Sequence, residues 1–292
     1  MPNTCCDLHL HTYYSDGRAS PAEMLHHAAD IGLKTVAITD HDNLNAAPEA
    51  AHVANRLGLE LVPGVELTAH WDSCPPAHGD PGRGQDVDIL GYFFDPADPA
   101  LLDFTHQAMD DLRQRIEAAC ALVSAAGYPM TIFDVLDENP RYPGAMQLIN
   151  ALRHKNYARG WSEAYPIFSA VWSQVRCSQL SVEQAIEALH QAGGVAVLAH
   201  PVAVECGAGG LLQSLQLAEL VDLGLDGLEI HHPRMDGEAR QHFYSLAKEF
   251  NLAVSGGSDE HGWKDGFTRM GSELITYEMV NGLRDRPKMQ NA

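Results

Sequence analysis

The sequence opens with a short stretch in which acidic and imidazole side chains occupy every second position. Asp7, His9 and His11 alternate with Leu8 and Leu10. In an extended strand successive side chains point to opposite faces, so the three polar residues share one face. Polar groups gathered on a buried face need partners. Because imidazole and carboxylate are ligands for Zn, Mn or Fe, the stretch predicts one edge of a metal site. With 16 His in the chain, a chance pair is the alternative.

More candidate ligands follow later apolar segments along the chain. Each segment is typical of a short buried strand, and a single His at the end of one strand is more simply explained as a structural residue. In a β/α barrel, however, all the carboxyl ends of the parallel strands meet at one rim, where catalytic residues come from several strands. Taken together, the strand ends therefore favour a shared metal site. The candidate ligands are His9, His11, His41, Glu66, His200, His231 or His232, Asp259 and His261.

The elements that must position these residues alternate between strand and helix. A capping box of Ser20 and Glu23, with Pro21 at the first helical position, predicts a helix start, and Ser181 with Gln184 predicts another. The alternation favours parallel β/α units. Strands are predicted over residues 34–39, 59–65, 87–92, 195–199, 228–230 and 252–255, with a last short one over 273–276.

The alternation stops in the middle of the chain. From residue 99 onwards the sequence is mostly typical of helices, with long amphipathic stretches over residues 101–126, 149–157 and 162–174. We interpret residues 99–180 as an inserted helical subdomain that contributes to the substrate site. Residues 1–98 and 181–292 then form the metal-binding barrel, and the fold class is α/β.

The composition limits the classes of partner. The formal net charge is -20, which disfavours long nucleic acid and anionic membranes because both reward neutralisation by Lys and Arg. The six Cys are scattered without a C-x-x-C pair, and no signal segment opens the chain. We therefore expect a reducing, cytoplasmic setting. No apolar run approaches the roughly 20 residues that a membrane-spanning helix needs.

Six short motifs, in order along the chain, resemble those of the PHP (polymerase and histidinol phosphatase) family, metal-dependent phosphoesterases of the amidohydrolase-like superfamily. The resemblance implies a distorted (β/α)7 barrel that holds two or three divalent ions, with Mn²⁺ expected and Zn²⁺ or Fe²⁺ as alternatives. The motifs are Asp-Leu-His-Leu-His at 7–11, Ser-Asp-Gly at 15–17, Ile-Thr-Asp-His-Asp at 38–42, Pro-Gly-Val-Glu at 63–66, Ala-His-Pro at 199–201 and Gly-Ser-Asp-Glu-His at 257–261.

The same resemblance implies a division of ligands among the ions. Asp7 would be a supporting carboxylate rather than a ligand. Many family members carry a His where this chain has Asp88, so Asp88 is a weaker ligand candidate. His78 is a possible substitute, although a solvated loop His is the simpler interpretation. The implied sets are His9, His11, Glu66 and Asp259 for one ion, Asp16, His41 and His261 for a second, and Glu66 with His200 for a third, with Asp259, Glu66 and His41 as the catalytic residues.

Residues 144–168 resemble the insertion of a PHP subgroup that acts on nucleoside 3',5'-bisphosphates and on the 5' ends of short oligonucleotides. That subgroup usually begins the segment with an Arg-Pro-His triplet after a Gly. This chain has Ala145, Met146 and Gln147 there. The difference weakens a direct transfer of substrate identity, and a related nucleotide is the expected substrate.

A local excess of basic residues independently favours an anionic substrate. Residues 141–176 contain five basic side chains and one acidic side chain, Glu163. Arg suits phosphate because its planar fork donates two parallel hydrogen bonds. A solvated helix face is the alternative explanation, and residues 206–210 are either a phosphate cradle or a plain connector. The substrate-binding candidates are Arg141, Arg153, Lys155, Arg159, Arg234 and His232.

These inferences combine into one hypothesis, hydrolysis of a phosphate monoester in a small nucleotide. The 3'-phosphate of a nucleoside 3',5'-bisphosphate is the expected target, attacked by a metal-activated hydroxide. The alternatives are a 5'-3' exonuclease on short oligonucleotides, a carbon-nitrogen amidohydrolase and a non-catalytic nucleotide-binding PHP module. The expected partner is the small phosphorylated substrate, and the sequence indicates no oligomeric state.

Overall fold

Seven strands form a single curled sheet in which strand order follows the chain. The computed structural model describes residues 5–74, 84–204, 210–262 and 269–286. Neighbours along the chain are neighbours in the sheet throughout. The strands are β1 (Cys6–Asp7), β2 (Thr35–Ile38), β3 (Glu60–Trp71), β4 (Gln85–Tyr92), β5 (Val195–Leu198), β6 (Gly227–His231) and β7 (Ala253–Gly256).

The two outer strands approach each other beyond their carboxyl ends. Leu10 and Glu260 form a parallel bridge, and the backbone N–H of His11 donates to the carbonyl of Glu260 at 2.9 Å. Asp7 also accepts a hydrogen bond from the backbone N–H of Ser258 at 2.9 Å. The predicted distorted barrel of seven strands is therefore confirmed.

One strand runs against the prediction of parallel units. β4 is antiparallel to both β3 and β5, while the other neighbours are parallel. No helix among the described residues lies between β3 and β4, and β4 pairs along β3 in the opposite direction. Eight register pairs result, from Gly64 with Tyr92 to Trp71 with Gln85. β3 is consequently longer than the predicted strand over 59–65.

The helices pack around the sheet, and the predicted capping boxes are confirmed. Ser20 accepts from the backbone N–H of Glu23, and Ser181 accepts from that of Gln184. None of the described helices is both long and apolar enough to span a membrane. The helices are α1 (Pro21–Asp30), α2 (Ala47–Leu57), α3 (Pro99–Ala125), α4 (Ile132–Leu136), α5 (Ala145–His154), α6 (Trp161–Trp172), α7 (Val182–Gln191), α8 (Ser214–Asp222), α9 (Gly237–Glu249) and α10 (Tyr277–Arg284).

The second half of α3 and helices α4 to α6 form their own hydrophobic cluster, whereas Leu101 and Phe104 in the first half of α3 pack with the residues of the sheet. In the helical cluster, Leu112 and Ile116 of α3 pack with Leu148 of α5 and Phe168 of α6. The short helix α4 was not predicted, and α5 begins four residues before the predicted stretch over 149–157. The division into barrel and insertion at residues 99 and 180 stays a prediction.

The predicted last strand over residues 273–276 is wrong. The chain there lies in no strand, and α10 begins directly afterwards. Ile275 is fully buried, but one backbone contact, from the N–H of Cys5 to the carbonyl of Ile275 at 3.4 Å, does not make a ladder. An apolar residue in an extended segment therefore anchors α10 without extending the sheet.

Candidate metal centre

The rim of the barrel gathers the predicted ligands from all seven strands. Parallel strands end on the same side, so residues distant in sequence meet there. β4 reaches the same rim from its beginning rather than its end, because it runs in the opposite direction. The residues concerned are His9 and His11 after β1, His41 after β2, Glu66 in β3, Asp88 in β4, His200 after β5, His232 after β6, and Asp259 and His261 after β7.

The carboxylate of Glu66 lies at the centre of this group. Its Oε2 lies 3.0 Å from Nε2 of His9, 3.1 Å from Nε2 of His11 and 3.5 Å from Nδ1 of His41. Its Oε1 lies 3.0 Å from Nε2 of His200. The Glu66 side chain is 1% exposed, so these contacts are shielded from water. One buried carboxylate thus collects four imidazoles.

Asp259 forms a second centre beside the first. Its Oδ1 lies 3.4 Å from Nε2 of His11, 3.7 Å from Nε2 of His9 and 3.6 Å from Nδ1 of His261. Its Oδ2 lies 3.4 Å from Nε2 of His232. Asp259 therefore links the strand that opens the chain to the turn that follows β7.

Asp16 forms the third centre at the far side of His11. Its Oδ1 lies 3.1 Å from Nε2 of His261 and 3.8 Å from Nδ1 of His11. One ligand atom each from His11, Asp16 and His41 lies within 4.8 Å of the others. The predicted set of Asp16, His41 and His261 therefore shares one region.

The nitrogen lone pairs of the site fit a divalent cation. His9 Nδ1 lies 2.8 Å from Glu229 Oε1 and donates its proton there, which leaves Nε2 as a lone pair facing the Glu66 carboxylate. His41 Nδ1 and His232 Nε2 are buried, and neither makes a hydrogen bond to any described residue. Converging lone pairs and carboxylate oxygens repel one another unless protons or cations lie between them. Histidine and carboxylate donors at these distances are suited to Mn, Zn or Fe.

The close packing of carboxylates and imidazoles shifts the pKa values of Glu66, His41 and His261. Burial alone would raise the pKa of Glu66, but His9 and His41 outweigh burial and hold it well below its usual range. Burial opposes the opposite shift of His41, whose pKa the carboxylates of Glu66 and Asp16 raise to about 9. Burial likewise opposes the rise at His261, where Asp16 brings the pKa to about 10. A cation at the site would compete with these protons.

Three residues at the rim have left-handed backbone conformations, which residues other than glycine rarely adopt. Their φ angles are 56° at Asp42, 27° at His200 and 52° at Asp259. Such conformations cost free energy and persist where the surroundings hold them in place. Two of the three residues are predicted ligands, which is consistent with a site that dictates local geometry.

A cavity of about 700 Å³ opens onto the ligand group. Arg153 comes from α5, Arg234 follows β6 and Arg269 follows the turn after β7, and all three line this cavity. The cavity therefore pairs a carboxylate and imidazole floor with arginine side chains. Planar guanidinium groups of this kind recognise phosphate oxygens.

The model of the PHP domain matches residues 7–159, more than half of the chain. The chain belongs to the PHP domain family. A 5'-3' exoribonuclease from Haemophilus influenzae is 31% identical over 288 residues, which cover 94% of this chain and 96% of that protein. A 3',5'-nucleoside bisphosphate phosphatase from Chromobacterium violaceum is 29% identical over 263 residues, which cover 87% and 86%.

A solved structure supports the same placement. The crystal structure of a Bifidobacterium adolescentis protein assigned as a metal-dependent phosphoesterase matches this PHP chain with a TM-score of 0.80 at 27% identity. The match covers 95% of this chain and 94% of the other. The likeness therefore includes the helices α3 to α6 as well as the barrel.

Asp88 occupies the position where a His was expected from the family pattern. Its Oδ2 lies 3.8 Å from Nε2 of His200, and its Oδ1 accepts a hydrogen bond from the Thr68 hydroxyl at 3.1 Å. Burial, together with the charge of Glu66, raises the pKa of the Asp88 carboxyl. A carboxylate is thus present beside Glu66 and His200, and a third ion at this place stays a prediction.

Buried carboxylates behind the rim hold the predicted ligands in position. Asp7 binds backbone rather than ligand side chains, since Oδ1 accepts from Ser258 N and Oδ2 from Gly271 N, both at 2.9 Å. Asp40 binds the backbone N–H of Thr12 at 2.7 Å and so fixes the turn that presents Asp16. Asp7 therefore lies behind the rim, and its supporting role stays a prediction.

Four of the six predicted substrate residues lie at two neighbouring cavities. Arg153 and Arg234 line the metal cavity, and His232 lies against Asp259. Arg141 instead lines a neighbouring cavity of about 320 Å³, with its guanidinium 4.4 Å above the Tyr13 ring. The two cavities share Asp16 and Asn150 in their linings.

Lys155 and Arg159 do not line either of these cavities. Lys155 Nζ lies 2.5 Å from Asp134 Oδ1, so its charge is already paired with a carboxylate. The side chain of Arg159 is 94% exposed, and its Nε lies 3.6 Å from Glu163. Of the two histidines after β6, His231 contacts the Tyr244 hydroxyl and points away from the rim. His78 and residues 206–209 lie outside the described residues.

Several residues at the site were not predicted from the sequence. Glu229 is fully buried in β6 and orients His9, and its only signal was a carboxylate inside an apolar strand. The buried ring of Tyr142 stacks against His41 with ring centroids 6.1 Å apart. Arg269 and Trp161 line the cavity although neither follows a strand directly, so sequence position alone carried no signal for them.

Proposed function

We propose that this PHP protein is a metal-dependent phosphoesterase that hydrolyses a phosphate ester of a small nucleotide. One observation carries the proposal. Glu66 and Asp259 collect six histidines at the floor of a cavity whose walls hold three arginines. The names of the similar proteins, a nucleoside bisphosphate phosphatase and an exoribonuclease, support phosphorus chemistry for such a site.

The carboxylates and imidazoles at the floor of the cavity and the arginines at its wall would have different roles in the reaction. Residues on the floor would hold the ions, with Glu66 between the sets and Asp259 and Asp16 at either end. Bound divalent ions would supply an activated water for attack on phosphorus and would neutralise the phosphoryl oxygens. Arg153 and Arg234 would bind phosphate oxygens and orient the ester. The cations explain how a chain with a net charge of -20 can bind an anionic substrate.

The expected substrate is a nucleoside 3',5'-bisphosphate, from which the 3'-phosphate is removed. A substrate with two phosphates needs one anion site at the ions and a second at a distance from them. The three arginines at the wall of the cavity provide candidates for that second site. Mn²⁺ is the proposed metal because carboxylate and imidazole ligands are mixed at the site, and Zn²⁺ or Fe²⁺ would suit the same donors.

A second candidate is 5'-3' exonuclease action on short oligonucleotides. The cavity is open at its wall, and the more similar of the two named relatives is an exoribonuclease. The overall negative charge disfavours a long polymer, but it does not act against a short 5' end that enters the cavity.

A substrate panel separates these candidates. The protein with Mn²⁺ would be given adenosine 3',5'-bisphosphate, a 5'-phosphorylated trinucleotide and a cyclic amide, and release of phosphate and of mononucleotides would be measured separately. Phosphate release from the bisphosphate supports the phosphatase, mononucleotide release supports the exonuclease, and amide hydrolysis alone would overturn both.

A ligand variant tests the role of the metal site. Asp259→Ala removes a carboxylate that contacts four histidines, so turnover should fall by at least about 100-fold with the fold retained. Asp110→Ala, an exposed carboxylate on α3, is the matched control and should keep wild-type activity. An active and metal-replete Asp259→Ala protein would contradict the assignment.

A further inference from the structure

The metal cavity has an apolar side that phosphate chemistry does not explain. Most side chains that line it are charged or polar, but Met146 of α5 and Trp161 of α6 are apolar. Both helices belong to the region that packs separately from the sheet. Phosphate and ions would bind at the floor and the arginines, so the apolar side is available to another part of the substrate.

Trp161 is 48% exposed, which is high for a tryptophan side chain. Tryptophan normally buries most of its surface, as Trp71 does at 3% exposed in this chain. The indole of Trp161 stacks against the Tyr165 ring, with centroids 5.3 Å apart and planes 18° apart. The Tyr165 ring, itself 46% exposed, therefore contacts the indole, and much of the surface of Trp161 faces solvent.

A flat and exposed aromatic ring in a cavity that arginines also line suits a nucleotide, which has both a base and a phosphate. Each nucleobase has a π-face, and stacking on an aromatic side chain holds the base without reading its hydrogen-bonding edge. The flexible thioether of Met146 adapts to the shape of a ring. Arg153, which lines the same cavity from α5, is available for the phosphate.

We propose that Trp161, which stacks against Tyr165, is a nucleobase platform, that is, a surface on which the base of the substrate stacks. Phosphate esters that carry a base should therefore be better substrates than esters that lack one. The inference rests on the proposed phosphoesterase function and deepens it, because it states which part of the substrate the helical region recognises. Stacking is tolerant of base identity, so purine and pyrimidine nucleotides should both benefit, with purines favoured by their larger ring area.

The test compares two substrates across three variants. We would measure kcat/KM with Mn²⁺ for adenosine 3',5'-bisphosphate and for 1-deoxyribose 3,5-bisphosphate, which keeps both phosphates and has no base. Trp161→Ala should lower kcat/KM for the nucleotide by roughly 5- to 150-fold and leave the base-free ester within about twofold. Trp161→Phe should keep most of the preference. Phe133→Ala, an exposed aromatic on α4 that is 70% exposed and does not line the cavity, is the matched control and should change neither value.

Two outcomes would overturn the platform. One is a Trp161→Ala protein that retains the wild-type preference for the nucleotide, and the other is an equal loss on both esters, which would indicate a structural role. Equal thermal midpoints for the variant and the wild type check that the fold is intact.

A binding measurement separates this inference from the proposed reaction. If the wild-type protein hydrolyses neither ester, the phosphoesterase proposal fails, and calorimetric titration with adenosine 5'-monophosphate still decides the role of Trp161. The same roughly 5- to 150-fold weakening by Trp161→Ala, absent in Phe133→Ala, supports the platform. Equal affinity in all variants, or no binding by the wild type, overturns it.

Discussion

Replacement of Glu229 by Gln should weaken metal binding although Glu229 is not among the predicted ligands. Glu229 is fully buried in β6. Its Oε1 accepts from His9 Nδ1 and its Oε2 accepts from the backbone N–H of His200, both at 2.8 Å. The single carboxylate therefore orients one predicted ligand through its ring and a second through its backbone.

The size of the effect follows from the number of acceptors. Glutamine has nearly the same volume as glutamate, but it offers one carbonyl oxygen and an amide that donates. The glutamine amide N–H would then face either the ring N–H of His9 or the backbone N–H of His200, and that N–H would lose its acceptor. Loss of a hydrogen bond to a charged group costs about 1.5–3 kcal/mol. Removal of such a supporting partner typically weakens metal affinity by about 10- to 100-fold, or about 1.4–2.7 kcal/mol.

The assay is the Mn²⁺ dissociation constant, measured by competition with a fluorescent chelator. Glu238→Gln, at an exposed position in the first turn of α9, is the matched control and should bind Mn²⁺ like the wild type. Circular dichroism checks that Glu229→Gln folds. A folded Glu229→Gln protein with wild-type Mn²⁺ affinity would refute the reasoning, because His9 and His200 would then need no orienting carboxylate.

Three further predictions concern the ions, the close approach of two strands and one thiol. Chelation should lower the thermal midpoint, and Mn²⁺ at 100 times its dissociation constant should restore about 2.7 kcal/mol of stability, so an unchanged midpoint would contradict a metal site. Gly257→Ala should weaken Mn²⁺ binding and destabilise the fold by about 1–3 kcal/mol, because its Cβ would lie 2.3 Å from Cβ of His9. Gly237→Ala, which has open space around it, is the control and should leave the stability measured by calorimetry unchanged. Burial raises the pKa of the Cys120 thiol from 9.0 to about 12. The stability linked to this thiol is present below pH 9 and is lost as the pH rises towards 12, so iodoacetamide at pH 8 should label Cys120 only in denaturant, which mass spectrometry would detect.

The rim could be predicted because its signals are local. Alternation in residues 7–11 and the placement of His41 and His200 after apolar segments depend only on strand period and on the geometry of parallel sheets. Six strand positions and both capping boxes follow from the same kind of short-range pattern, whereas the strand expected over 7–11 is limited to Cys6–Asp7, with His9 and His11 after it. Asp259 was found because it closes a motif directly after a strand.

The parts that were missed depend on long-range packing. The direction of β4 is not encoded in its own residues, because the two-residue period of a strand is the same in parallel and in antiparallel pairing. Trp161 lies in an amphipathic stretch, and only the packing of α6 against its neighbours decides that its ring reaches the cavity. Lys155 and Arg159 share a basic segment with Arg153, but the turns of the chain point them elsewhere.

Because β4 runs antiparallel to β3, these two strands form a wall that extends beyond the rest of the rim. β3 continues five residues past Glu66 to Trp71, a rise of about 17 Å, and β4 begins beside its end. The backbone N–H of His70 in this wall bonds to the carbonyl of Leu180 at 2.7 Å, where the chain returns from the helices to α7. The end of β3 is therefore held to the segment that precedes α7, so the ladder that carries Glu66 and Asp88 is tied to the helical region of the chain.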